Sequence, residues 1–197
     1  MIVMNAIDDG TKLFLEKKFE MAIEKYDIIL HDEPNNLIAL NNKGYAFSKL
    51  RNYSKALECY DECLKKTPED KTVLINKISL FRKTGDFYKA LEICEKLLKN
   101  NSNEMIVLYH KSRILKKLNK FSESNIICKG LLDIYPNNGD VLYDMASNFL
   151  KLEDAENFIS TLQKAVNVLP NLKNKSRNNK EFEPFYNDKR FLKIVLE

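Results

Sequence analysis

Four cysteines and two histidines are the residues of this chain best suited to bond chemistry or metal binding. Cys59 and Cys63 lie four apart, a spacing that puts both thiols on one helix face and could hold a metal. His31 and His110 stand in no Cys/His spacing that would complete a zinc site, and no Gly-rich loop follows a strand to cradle a phosphate. With Cys94 and Cys128 at core positions, the four thiols read as small buried hydrophobes. No catalytic residue, metal ligand or cofactor is therefore assigned. What remains is a row of side chains suited to holding a ligand without altering it: Asn41, Asn42, Tyr45, Asn76, Ser79, Tyr109, His110, Arg113 and Tyr143, flanked by Lys77 and Lys111. Amides donate and accept at once, and tyrosines are rigid anchors.

The elements that must carry this row are helices. The chain has 197 residues, 44% of them hydrophobic, a net charge of +4 and only five glycines. That apolar content with a small net charge excludes disorder as the dominant state. The scarcity of turn residues speaks against a β-sandwich, and four cysteines are too few for a disulfide scaffold. No apolar run approaches the roughly 20 residues needed to cross a bilayer. Met1 to Ile7 is cut short by Asp8 and Asp9, so an untargeted, cytoplasmic protein is expected.

An internal period organises these helices. Pro34, Pro68, Pro136 and Pro170 fall on a spacing of 34, and Ser102 fills the missing slot. Twelve residues before each slot stand Ala22, Ala56, Ala90, Ser124 and Phe158; fifteen before stand Phe19, Tyr53, Phe87, Phe121 and Ala155. Eight before are Tyr26, Tyr60, Cys94, Cys128 and Leu162. Within a unit the apolar residues follow helical spacing, as in Leu40, Phe47, Leu50 and then Tyr53, Leu57, Tyr60, Leu64. Two amphipathic helices per unit are predicted, split by a short turn such as Lys83 to Asp86. There Gly85 suits a left-handed helix end, and Asp86 and Asp154 are placed to cap the second helices of their units.

The pattern resembles the tetratricopeptide repeat, a helix-turn-helix unit of 34 residues. Leu40, Gly44, Phe47, Ala56, Tyr60 and Pro68 match it in the second unit; Gly10, Ala22, Tyr26 and Pro34 match in the first. Ile78, Ser112 and Ala146 replace the early glycine later on. Phe158 replaces the close-packing alanine, where a large side chain would push two helices apart. The resemblance implies an all-α fold, a right-handed α-solenoid or superhelix of antiparallel helix-turn-helix repeats forming one domain over residues 1–197. Its repeats are expected at 3–36, 37–70, 71–104, 105–138 and 139–172, with a capping segment at 173–197. In that segment Asp188 is placed to cap a last helix carrying Phe191, Leu192 and Val195 inward.

In this family the first helix of each pair lines a concave side, which places the row from Asn41 to Tyr143 in a groove. Asn42 and Asn76 stand where the family often uses asparagine. The basic pair of a carboxylate-clamping member is missing, so that type of site is not expected. Charge is uneven: residues 1–36 carry four basic and eight acidic groups, whereas residues 105–138 carry six and two. Lys43, Lys77 and Lys111 form one ladder, expected to lift its ammonium groups toward the groove. Lys49, Lys83, Lys117 and Lys151 form another, at the ends of first helices where the dipole favours cations. The expected function is a non-enzymatic scaffold or adaptor binding a peptide segment or protein, acidic in character, in the groove. The competing reading is an RNA-binding helical repeat using the basic middle, though the modest net charge and acidic flanks count against nucleic acid. Self-association is a third reading, and no membrane partner is expected.

Overall fold

A computed structural model describes residues 2–197, with side chains from residue 7 onward. Met1 and the side chains of residues 2–6, which carry most of the segment weighed above as a leader, lie outside the described residues. The described residues form helices and no strand. They divide into two compact units, Met1–Ile93 and Cys94–Glu197.

The first unit contains α1 (Ile2–Leu15), α2 (Phe19–Asp32), α3 (Leu37–Lys49), α4 (Tyr53–Lys66) and α5 (Lys71–Thr84), each packed on the next where contacts are described. The helix α6 (Phe87–Asn100) spans the division. The second unit contains α7 (Met105–Lys117), α8 (Phe121–Ile134), α9 (Gly139–Lys151) and α10 (Ala155–Val168). It ends with α11 (Leu172–Arg177), a 3-10 turn (Lys180–Phe185) and α12 (Lys189–Leu196). First helices start at Leu37, Lys71, Met105 and Gly139; second helices start at Phe19, Tyr53, Phe87, Phe121 and Ala155. Both series advance by 34, and the fold class is all-α, an α-solenoid of antiparallel helix pairs.

Local chemistry explains where the helices begin and end. Asn36, Asp70 and Asn138 cap α3, α5 and α9 by accepting from the backbone N–H three residues on, at 3.0, 3.0 and 3.1 Å. Each satisfies one of the donors that a helix start leaves without a partner. Asp154 does the same for α10. The turn inside each pair passes through one residue with positive φ: Lys17, Arg51, Gly85, Asn119 and Glu153, again 34 apart. Only Gly85 adopts that conformation without a Cβ clash.

In the first unit the core runs through Ala22, Tyr26, Ile29 and Ala39, then Ala56, Tyr60, Cys63, Val73 and Leu80. In the second it ends in a cluster of Leu142, Tyr143, Phe158, Leu162, Phe182, Phe191 and Val195. Phe158 does not leave the fifth pair open. It is wholly buried, with Phe182 and Phe185 edge-on at 4.9 and 4.7 Å between ring centroids. The C-terminal segment supplies the rings that surround it, and Asp188 caps α12 by accepting from the Arg190 N–H at 2.8 Å. Phe191 and Val195 point inward as the sequence indicates, while Leu192 is only half-buried.

Candidate functional site

The first helices of neighbouring pairs lie side by side: α1 with α3 and α3 with α5 in the first unit, α7 with α9 in the second. Their shared face carries the row of candidate residues.

In the first unit, Asn41, Asn42 and Tyr45 come from α3, and Asn76, Lys77 and Ser79 from α5; all six are half-buried. The Asn76 amide donates from Nδ2 to Asn41 Oδ1 at 2.8 Å. This bond fixes the orientation of both amides, each of which has further donor and acceptor capacity. Tyr45 stacks on Phe14 with centroids 4.9 Å apart, and Lys49 Nζ lies 5.0 Å from the same ring. Thr11, Phe14, Tyr26, Asn42 and Tyr45 together line a cavity of about 210 Å³. The rings of Phe14, Tyr26 and Tyr45 give it an apolar body, while the Asn42 amide and the hydroxyl-bearing Thr11, Tyr26 and Tyr45 give it polar points. Burial pushes the Tyr26 phenol up, opposed by hydrogen bonding with Thr11 and Asn42.

The cations divide into two kinds. Lys43, Lys77 and Lys111 each meet a carboxylate on the preceding second helix: Asp27 at 2.5 Å, Asp61 at 2.6 Å and Glu95 at 3.6 Å. Their stems lie across the edge of the core as expected, but their ammonium groups bridge helix to helix instead of standing in the groove. The physical reason is that a carboxylate sixteen residues earlier recurs in register with each lysine. Lys83, by contrast, donates to Ser48 Oγ at 2.9 Å. Burial and the neighbouring Lys49 and Arg82 hold its ammonium below the usual lysine range. Like charges are thus gathered at the ends of α3 and α5.

In the second unit, Tyr109, His110, Lys111 and Arg113 are half-buried on α7. Arg113 Nη1 donates to the Tyr109 hydroxyl at 3.2 Å, and Arg113 Nε lies 3.1 Å from Asp144 Oδ2. Lys116 reaches the other oxygen of Asp144 at 3.3 Å. Two cations on one nearly buried carboxylate leave this cluster with a surplus positive charge. Tyr143 differs from the rest of the row, being only 4% exposed. Its hydroxyl accepts from Asn179 Nδ2 at 3.1 Å, and Lys175 Nζ stands 4.2 Å from its ring centroid. The C-terminal segment covers this tyrosine, so it serves the core and is unavailable to a ligand.

The four cysteines are buried and unpaired with one another. Burial pushes the thiols of Cys59, Cys63 and Cys128 up to about 11, which keeps them neutral and poorly nucleophilic near pH 7. Among the described residues no group of three or more His, Cys, Asp or Glu side chains is assembled to hold a metal. Among them also, no helix is long and apolar enough to cross a membrane. Sequence reading missed Phe14 and Tyr26 as cavity walls and Lys116 as a partner of Asp144. The 34-residue register contained Tyr26, which packs against Gly10 of α1 and meets Thr11, but not Phe14, whose place is taken by Ser48 in the next unit.

Tandem helix pairs presenting a polar and aromatic first-helix face, with no assembled reaction centre described, define a helical-repeat protein. The family description "Tetratricopeptide repeat" matches residues 38–70, and "Psidin, N-terminal TPR repeats region" matches residues 83–191, more than half of the chain. The chain belongs to the tetratricopeptide repeat family. Among solved structures it is similar to PilW, described as a widely conserved type IV pilus biogenesis factor. That likeness has a TM-score of 0.83 and 13% identity over 98% of this chain and 90% of that one. A tetratricopeptide repeat protein from Parabacteroides merdae gives 0.74 and 16%, over 98% and 83% of the two chains. YrrB, described as a TPR protein with an unusual peptide-binding site, gives 0.66 and 18%, over 84% and 85%. At these identities the likeness is one of fold. No curated protein matches the sequence.

Proposed function

We propose that this chain is a non-enzymatic interaction scaffold that holds an extended peptide segment, or a protein surface presenting one, on its first-helix faces. One observation carries the reading: in the first unit Phe14, Tyr26, Tyr45 and Asn42 line a cavity, and on α3 and α5 the Asn41 and Asn76 amides are oriented by their mutual hydrogen bond. A bound segment would place an apolar side chain in the cavity and its backbone groups on the amides, which recognise any sequence through its peptide bonds. Lys49 and Lys83 in the first unit, and Arg113 with Lys116 in the second, favour acidic residues in the partner. Binding of a peptide by YrrB, a relative in fold, agrees with this use. Four reduced, buried cysteines suit a reducing, cytoplasmic setting.

The nucleic-acid reading draws less support than the charge count suggests. Lys77 and Lys111 are ion-paired, and the Tyr45 ring is already engaged by Phe14 and Lys49. A stacking platform needs an open aromatic face.

The test is selection of random peptides displayed against the whole chain, followed by titration of the enriched peptides. Triple replacement Asn42→Ala, Tyr45→Ala and Asn76→Ala is expected to weaken them by about a hundredfold or more, since truncating an interface anchor costs about 1–2 kcal/mol and each ~1.4 kcal/mol is tenfold. Failure to enrich any peptide, or enriched peptides indifferent to the triple replacement, would overturn the site. Oligouridine titrated at several salt concentrations tests the competitor, which requires a steep linear fall of log affinity with log salt.

A further inference from the structure

The outer face of α8 differs from that of every other second helix. At the three positions that face solvent one turn apart, α2 carries Glu24, Ile28 and Asp32; α4 carries Glu58, Glu62 and Lys66; α6 carries Glu92, Lys96 and Asn100; α10 carries Ser160, Lys164 and Val168. In α8 the same positions are Ile126, Gly130 and Ile134. Ile126 is 73% exposed and Ile134 54% exposed. Tyr135, 57% exposed, continues the apolar surface into a cavity of about 470 Å³ that Pro136, Gly139 and Leu169 also line. No other second helix sets two exposed isoleucines on this stripe, although α2 has one in Ile28, and two on one helix face mark an interaction surface.

Gly130 points the same way. It sits in the interior of a helix, where glycine is less stable than alanine. A Cβ built there would meet nothing within 4 Å, so the fold itself gives no reason for its absence. A bare spot in the middle of an exposed helix lets another backbone come close.

We infer that a second copy of this chain packs on this face, α8 against α8, antiparallel about a two-fold axis through Gly130. The occupant follows from the symmetry of the stripe. Isoleucine stands four residues before and four after the glycine, so in an antiparallel pair Ile126 of one copy meets Ile134 of the other, twice over. Two exposed charges beside the stripe fit the same symmetry, while Glu123 is paired with Lys120 of its own chain. Lys129 and Asp133 lie on one side of the stripe, and the two-fold brings Lys129 of each copy beside Asp133 of its mate. A surface complementary to itself in both shape and charge is the requirement for an isologous dimer. The face belongs to a second helix, so the first-helix face of α7 and α9 in the same unit takes no part in the contact. One helix pair is a small interface, and dissociation constants of about 10–100 μM are expected.

Sedimentation of the full chain from about 1 to 300 μM, spanning those constants, is the first measurement, and a concentration-dependent dimer is expected. Ile126→Glu with Ile134→Glu, both at exposed positions, should leave only monomer. Lys129→Asp alone should weaken the dimer by about tenfold through apposed carboxylates, and adding Asp133→Lys should restore it. Gly130→Cys should form an intermolecular disulfide under mild oxidation, because the native thiols are buried, whereas Ser122→Cys, two turns from the axis, should not. A wild-type chain that stays monomeric throughout leaves the face to some other protein and overturns the proposal. So does a dimer that survives the glutamates, or one that the charge exchange fails to rescue.

Discussion

The two units build the same helix crossing from opposite materials. In the first, Gly10 and Gly44 of the first helices face Tyr26 and Tyr60 of the second. A Cβ on Gly10 would come within 2.6 Å of the Tyr26 ring, and one on Gly44 within 2.8 Å of the Tyr60 ring. In the second unit the equivalent pairs are Ser112 with Cys128 and Ala146 with Leu162. As the first helix gains side-chain volume the second loses it. Ala146 with Leu162 keeps about the same summed volume as Gly with Tyr, as close packing demands, whereas Ser112 with Cys128 is the smaller pair. A second contrast lies between consecutive pairs. Ala56, Leu57 and Leu80 make an apolar contact in the first unit. Their counterparts 68 residues on are Ser124, Asn125 and Asn148, linked by bonds of 2.9 Å from Asn148 Nδ2 to Ser124 Oγ and to Asn125 Oδ1. Asn125 Nδ2 and Asn148 Oδ1 are buried there without partners. At this one contact the first unit relies on apolar burial, and the second on a polar network that is only partly satisfied.

The largest test of this contrast is Phe158→Ala. It would restore the small residue found at the same place in α2 and α4, yet a loss of about 3–5 kcal/mol is expected, because the ring fills a space that three other rings surround. Urea unfolding read by aromatic absorbance checks it. If alanine proved neutral, the ring cluster would be ornamental and the terminal segment would be held by other means.

Next in size is the exchange of volumes. Gly44→Ala should cost about 1–3 kcal/mol by overpacking against Tyr60. Tyr60→Leu should cost a similar amount or more by leaving space, although it also removes a hydroxyl buried with no partner. The double change copies the Ala146 and Leu162 pair. Its cost should fall below the sum of the singles by about 1 kcal/mol or more, a coupling that a double-mutant cycle measures directly. Simple additivity would mean that the two positions do not share one volume.

The polar network invites the reverse transplant. Asn148→Leu alone should destabilise by about 1–3 kcal/mol, since it strands Asn125 Oδ1 and the polar groups around it. Asn125→Leu with Asn148→Leu reproduces Leu57 and Leu80 and should recover most of that loss, with chemical denaturation as the readout. A double variant worse than the single would show that the partly satisfied network contributes more than the apolar contact it replaces.

Much of this architecture is legible in the sequence because packing leaves a periodic mark. Alanine, tyrosine and proline recur at one spacing wherever helices must approach, turn or stop, so the helix pairs could be placed from residue types alone. The candidate site was legible in part. Asn41, Asn42, Tyr45 and Asn76 share a half-buried face as the register implies, since position along a helix sets which side a residue takes. Tyr143 shares their register yet is covered, because what lies above it is the irregular segment carrying Asn179 and Phe182, and no period extends to it. The lysine ladder was visible, but its partners were not, because Asp27, Asp61 and Glu95 lie on a different helix and only the three-dimensional stacking brings the two ladders together. The turn conformation was visible at Gly85 alone, where composition reports it.

That turn supplies the smallest and most repeatable effect. Lys17, Arg51, Asn119 and Glu153 take φ near +60°, at 62°, 61°, 60° and 60°, in the place that Gly85 fills at 86°. A side chain in the left-handed region costs about 1–2 kcal/mol, and glycine returns part of this gain as backbone entropy in the unfolded chain. Arg51→Gly in the first unit and Glu153→Gly in the second should therefore each stabilise by about 0.5–1 kcal/mol. Asn119→Gly should give less, because asparagine tolerates this region better than other side chains. Gly85→Ala should lose about 1 kcal/mol by the same reasoning with its sign reversed. Since the turn is local and recurs unchanged, equal gains from Arg51→Gly and Glu153→Gly in thermal unfolding would show that the two units differ in how their helices are glued and not in how their chain is bent. Unequal gains would carry the difference between the units down to the backbone.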